Sequence, residues 1–156
     1  MYKMTTTEEK IFNKMHQYIK YDKCLYKQPF QRLLNLRRDK DSYIVFQSPY
    51  FCSDGTQKWT DFSVCDKSIN LDIRIEVKNL NTKGSIKNDA YEHLMGSTNI
   101  PEKLLVIVLI GCGYDDHVCI DLHRVIEMGR LNATIILGVD NFNNYIDSRY
   151  RNHRDN

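Results

Sequence analysis

The chain has no apolar run long enough to cross a bilayer. Its longest, "LLVIVLIG" at 104–111, is the size of a strand. The N-terminal "MYKMTTTEEK" lacks the apolar stretch of a signal peptide and does not resemble a transit peptide. Five cysteines (Cys24, Cys52, Cys65, Cys112, Cys119) form no Cys-x-x-Cys, and no Cys/His set has zinc-site spacing. The five histidines contain no His-x-x-x-His pair, which argues against a zincin-type site. No internal repeat or low-complexity segment occurs. These absences lead us to expect a soluble protein of the reducing cytoplasm, with buried thiols rather than disulfides. Neither a membrane nor a small-molecule cofactor is expected as a partner.

At 156 residues and 42% apolar, the chain suits a single domain, 1–156, with its own core. The net charge of +2 is unevenly spread. Residues 1–40 hold ten Lys/Arg against four acids, a local balance of +6 in a region expected to be helical. A basic tail, 147–156, adds Arg149, Arg151 and Arg154. Such patches can follow a phosphate backbone while the whole chain stays near neutral, although surface lysine alone gives the same numbers.

Apolar spacing sets out the elements. "TTTEEKIFNKMHQYIKY" offers Thr as an N-cap, acids in the first turn, and Ile11, Phe12, Met15 and Ile19 on one helical face. "PFQRLLNLRRDKD" suggests a short second helix. Strands are expected at 42–51, 59–66 and 71–79, with turns at "SDGTQK" and "KSIN". Further expectations are a helix at 86–96, a strand buried on both faces near 103–111, a helix over 113–130, a strand "ATIILG" and a last helix "VDNFNNYIDSRY". The whole describes an α/β fold, a mixed β-sheet flanked by α-helices on both faces.

The third strand, "LDIRIEVKN", alternates almost without exception. Leu71, Ile73, Ile75 and Val77 share one face, and Asp72, Arg74, Glu76 and Lys78 the other. Glu76 and Lys78 then sit roughly 6.6 Å apart along one strand. If the second and third strands form a hairpin, Asp61 comes alongside Glu76. Two carboxylates beside a lysine are the parts of a hard-metal site for phosphodiester hydrolysis. A row of strand charges is, however, most often a solvated face, and that account suffices for Asp72 and Arg74.

An Asp on one strand ("TDF", 60–62), then Glu-x-Lys fifteen residues on ("EVK", 76–78), then a loop and helix, resembles the PD-(D/E)XK nuclease superfamily. "QSPYF" before the triad and "IEVKNLNTKGSIKNDAYEHL" around it extend the resemblance to small stand-alone members, over roughly residues 42–146. The resemblance implies a restriction-endonuclease-like fold and an endonuclease acting on DNA with Mg²⁺, or Mn²⁺ in its place. It implies Asp61 and Glu76 as metal ligands together with the Val77 backbone carbonyl, and Lys78 as the catalytic lysine. A further Glu on the first helix would be Glu8 or Glu9, although acids in a first turn ordinarily serve the helix dipole. Gln47, Lys83, Ser85 and Lys87 are candidates for nucleic-acid contact, as are Arg37 and Arg38 of the basic region. Thr60 stands where the eponymous Pro would be. A homodimer is expected if both strands of a duplex are cut.

Two rivals deserve weighing. "VIVLIGCGYDD" resembles the glycine loop of S-adenosylmethionine-dependent methyltransferases, but three strands precede it and too few residues follow; a tight strand-to-helix turn accounts for Gly111 and Gly113. A helix-turn-helix at 115–130 lacks a convincing turn and recognition helix. The remaining alternative is a non-catalytic nucleic-acid-binding domain on the same fold. An intact Asp61, Glu76 and Lys78 argues against it.

Overall fold

The structure, a computed structural model, describes residues 4–20, 23–24, 29–51, 55–79, 104–110, 124, 127 and 132–154. Within them the chain is α/β. Three helices, α1 (Thr6–His16), α2 (Phe30–Asp39) and α3 (Gly138–Arg154), pack on one sheet. The sheet runs β1 (Lys23–Cys24), β2 (Ser42–Phe51), β3 (Gln57–Asp66), β4 (Leu71–Asn79), β5 (Leu104–Ile110) and β6 (Ala133–Leu137), side by side in that order. β2, β3 and β4 are antiparallel neighbours; the β1–β2, β4–β5 and β5–β6 pairs are parallel, so the sheet is mixed.

Strand alternation divides the core. Ile44, Phe46, Phe62, Val64, Leu71, Ile73, Ile75, Val106, Val108 and Ile136 face α1 and α3, meeting Ile11, Phe12, Met15, Phe142 and Ile146. Tyr43, Val45 and Cys65 face the other way and meet Leu33 and Leu36 of α2. Helices therefore cover both faces, as the periodicity predicts. Each fully buried large apolar side chain contributes about 1.5–3 kcal/mol relative to exposure.

The element ends have local causes. Thr5 caps α1: its hydroxyl accepts from the Glu8 amide at 3.2 Å, and the Glu8 carboxylate accepts from the Thr5 amide at 3.0 Å. The sequence pattern carries this helix on to residue 21, but α1 stops at His16. The Gln17 and Tyr18 amides turn to carbonyls three residues back, Lys14 at 3.2 Å and Met15 at 3.1 Å, and this tightening ends the helix. β3 starts at Gln57 rather than Trp59 because the β2 pairing continues to Phe51↔Gln57. Between β3 and β4, a 3-10 turn (Lys67–Ile69) is capped by Asp66 and closed by Asn70 in the left-handed region (φ 54°). The segment read as a basic tail is helical as far as Arg154, where late arginines suit the helix's negative end.

A polar network joins α1, α3 and the β3–β4 turn. The Tyr150 hydroxyl donates to Asp66 at 2.8 Å, and the Ser68 hydroxyl donates to the same carboxylate at 2.6 Å. The Tyr150 ring stacks on Tyr18, centroids 3.9 Å apart. The Tyr18 hydroxyl in turn donates to Asp147, which pairs with Lys14 at 2.6 Å. The helices expected at 86–96 and 113–130 lie outside the described residues, apart from Arg124 and Glu127, which are helical. Among the described residues no helix is long and apolar enough to cross a membrane.

Candidate active site

The charged row of β4 is not a solvated face. Asp72 is exposed, but Arg74 is 3% and Glu76 2% exposed, and the Lys78 side chain is 20% exposed. All four lie on the face that α2 covers, as do Asp61 and Ser63 of β3, by strand alternation and the Ser63↔Arg74 and Cys65↔Asp72 pairs.

Pairing between β3 and β4 runs from Asp66↔Leu71 to Phe62↔Ile75. The next position would set Asp61 opposite Glu76. There the ladder gives way, and the Asp61 carboxylate accepts the Val77 amide hydrogen at 2.6 Å. A side chain thus replaces the main chain as acceptor. On the other side, the β2–β3 pairs pass from Phe46↔Phe62 to Ser48↔Thr60 and skip Gln47, which has φ 57°. A non-glycine residue in the left-handed region within a strand is strained, and such strain concentrates at functional positions. The sheet is therefore open on both edges of Asp61.

Lys78 Nζ lies 3.5 Å from Glu76 Oε2. Burial pushes the Glu76 carboxyl up to about 8; the Asp61 charge adds to this, while Lys78 and Arg74 oppose it. Burial also pushes half-buried Asp61 up to about 6. The Val77 amide and Lys78 pull it down, and the Glu8 charge pushes it further up.

That last effect separates the two acids of α1. Glu8 is 4% exposed and electrostatically coupled to Asp61, whereas Glu9 is exposed. Glu8 both closes the helix cap and sets its charge near Asp61. Gln47 is half-buried and aligned with Asp61 by register. Arg38 is exposed and paired with Asp39 at 2.8 Å; Arg37 lies near the far end of the β3–β4 hairpin. Neither arginine joins the carboxylates. Lys83, Ser85 and Lys87 lie outside the described residues.

Sequence reasoning left Arg74 as a solvated or paired charge; it is buried rather than solvated, and its charge acts on Glu76. The available signal was its place mid-strand, in the same row as Glu76 and far from either strand end.

Among the described residues, no three His, Cys, Asp or Glu side chains form a group able to hold a metal. What is present is an oxygen-only set: two carboxylates and, beside them, a main-chain carbonyl. A strand residue turns its N–H and C=O toward the same neighbour, so the Val77 carbonyl faces Asp61. Mg²⁺ is commonly held by one or two carboxylates and keeps several waters, so this set fits it. Two carboxyls held above their ordinary proton affinity, Glu76 by burial and the Asp61 charge and Asp61 by burial and the Glu8 charge, are also groups that a divalent cation would return to the ionised form. No family model matches the chain, and no curated protein or solved structure matches it.

Proposed function

We propose that this chain is a Mg²⁺-dependent deoxyribonuclease of the restriction-endonuclease-like fold, hydrolysing phosphodiester bonds within DNA. The observation that carries the reading is Asp61 and Glu76 held together at an opened strand seam, with Lys78 at 3.5 Å from Glu76. Asp61, Glu76 and the Val77 carbonyl would hold Mg²⁺, with Mn²⁺ as a substitute. The chemistry expected of the bound ion is Lewis-acid polarisation of a phosphoryl oxygen.

The Lys78 ammonium, 3.5 Å from Glu76 Oε2, orients a water for in-line attack on phosphorus and offsets charge building on the phosphoryl oxygens. The new O–P bond forms as the bond to the 3′ oxygen breaks, leaving a 5′ phosphate. The partly open Asp61 and Lys78 side are the approach for substrate, and Gln47 lies at its rim. Each chain carries one such site, so cutting both strands of a duplex calls for a two-fold dimer.

End-labelled linear, branched and single-stranded DNA incubated with Mg²⁺ tests the reading. Products bearing 5′ phosphates, formed with Mg²⁺ and stopped by a chelator, are expected. Binding without cleavage on every substrate would favour a non-catalytic DNA-binding domain instead.

A further inference from the structure

The two edges of the sheet are unlike. β1 is two residues long and begins with Lys23, so it offers little for another strand to pair with. β6 (Ala133–Leu137) is five residues long, apolar apart from Thr134, and holds no charge and no proline. Its register with β5 runs unbroken from Leu105↔Ala133 to Leu109↔Leu137, so no bulge turns it away. Charge, proline, bulges and short length are what ordinarily keep an edge strand from pairing, and β6 lacks the first three. Among the described residues no strand lies on its far side.

The phase of the ladder shows which main-chain groups are left over. The Leu105 amide donates to the Asn132 carbonyl at 2.8 Å. A strand residue turns its N–H and C=O toward the same neighbour, and successive residues alternate. Thr134 and Ile136 are therefore bonded to β5, whereas the N–H and C=O of Ala133, Ile135 and Leu137 point out of the sheet edge. Of these groups, the Leu137 carbonyl accepts from Asn141 Nδ2 at 2.7 Å and keeps its second lone pair. The side chains of Ala133, Ile135 and Leu137 are half-buried and lie on the sheet face of Glu76.

We propose that β6 is the surface through which two copies of this chain associate, pairing antiparallel about a two-fold axis at Ile135. The outward residues are spaced evenly about Ile135, which makes the edge complementary to itself. Ile135 exchanges both main-chain bonds with its own counterpart, and Ala133 exchanges them with Leu137 of the second copy. Every cross-strand pair is then uncharged. Register also favours a second copy over a strand of another protein. Ile135 aligns with Ile107, and Ile107 with Glu76. A two-fold axis perpendicular to the sheet sets both Glu76 rows on one face of a continuous sheet, roughly 24 Å apart over five strand spacings. That this arrangement serves to cut both strands of a duplex rests on the nuclease reading above; the pairing itself does not.

The test uses the full chain. Sedimentation velocity over a concentration series, with and without duplex DNA, reads the association. A monomer–dimer equilibrium is expected. Ala133→Lys and Leu137→Glu should each weaken it about tenfold, because the two-fold axis repeats each change. Combined in one chain, the two substitutions oppose each other across the axis, so the double variant should regain the dimer. A merely damaged strand would not show that recovery. Amide exchange needs no variant and keeps the test valid if a substitution fails to fold. Dilution of wild type should speed exchange at Ala133, Ile135 and Leu137, while Thr134 and Ile136 stay protected by β5. Wild type monomeric at every concentration with and without DNA, single variants that dimerise as wild type does, a double variant no better than either single one, or exchange indifferent to dilution overturns the proposal. Dimers through this edge that cut no DNA sustain the interface and end the nuclease reading. Cleavage by a chain that stays monomeric on DNA ends the interface and sustains that reading.

Discussion

The carboxylate of Asp61 accepts the amide hydrogen of Val77 at 2.6 Å, where register would otherwise place a β3 carbonyl. One hydrogen bond thereby ends the β3–β4 ladder, fixes the Asp61 side chain, and sets it against Glu76. It also separates two roles of Asp61 that substitution can resolve. Asp61→Asn keeps an acceptor for the Val77 amide and removes the charge. Asp61→Ala leaves the amide unsatisfied, a loss of about 1–3 kcal/mol. Chemical denaturation should show Asp61→Ala clearly weaker than Asp61→Asn, with both inactive in DNA cleavage. Equal destabilisation by both would deny the hydrogen bond its role.

Stability of the metal-free protein should fall as pH rises. Both site carboxyls hold their protons more tightly when folded, Asp61 to about 6 and Glu76 to about 8, against ordinary values of 3.8 and 4.5. A raised pKa gives stability that is complete below the ordinary carboxylate range and is lost as pH climbs through the folded value. Thermal melts in chelator, taken from about pH 4 to about pH 9, should therefore decline in two overlapping parts. Glu76→Gln should remove the upper part. A melting temperature that rises across that window would contradict the burial of both carboxyls.

Mg²⁺ should reverse this loss, because it favours the ionised pair. At about a hundred times its dissociation constant a ligand adds about 2.7 kcal/mol, roughly 5–10 °C for a chain of this size. Melts at neutral pH with Mg²⁺ or Mn²⁺ should show the increase in wild type. In Asp61→Asn with Glu76→Gln it should vanish. The same increase in the double variant would place the metal elsewhere.

Glu8 has two roles that Thr5 can separate. Thr5→Ala and Glu8→Gln both disturb the capping box, and removing the cap costs about 0.5–2 kcal/mol. Only Glu8→Gln removes the charge that acts on Asp61. If Glu8 belongs to the site, cleavage by Glu8→Gln should fall well below that of Thr5→Ala at matched stability. Matching rates would leave Glu8 as a helix cap only.

The sequence made the strands legible because the periodicity is strong. β2 and β4 occupy the ranges that alternation predicts, and Leu71, Ile73 and Ile75 go to the core as expected. The proximity of Asp61 and Glu76 followed from a hairpin with a short turn. Other features had no local signal. Alternation states which face Arg74 and Glu76 share but not whether water reaches that face, since this depends on what packs above it. The left-handed φ at Gln47 and the halt of pairing at Phe62↔Ile75 arise from tertiary competition between side-chain and main-chain acceptors. The early end of α1 is similar: Ile19 keeps the apolar spacing and is buried, but from beyond the helix.

The central claim is that Asp61, Glu76 and Lys78 act together on a phosphodiester bond. Supercoiled plasmid incubated with Mg²⁺ and wild type, Asp61→Ala or Lys78→Ala tests it most directly. Conversion to nicked and linear forms by wild type, with a loss of at least about a hundredfold in both variants, is the predicted result. Plasmid and other DNA substrates left uncut by wild type, or cut equally well by both variants, would contradict it.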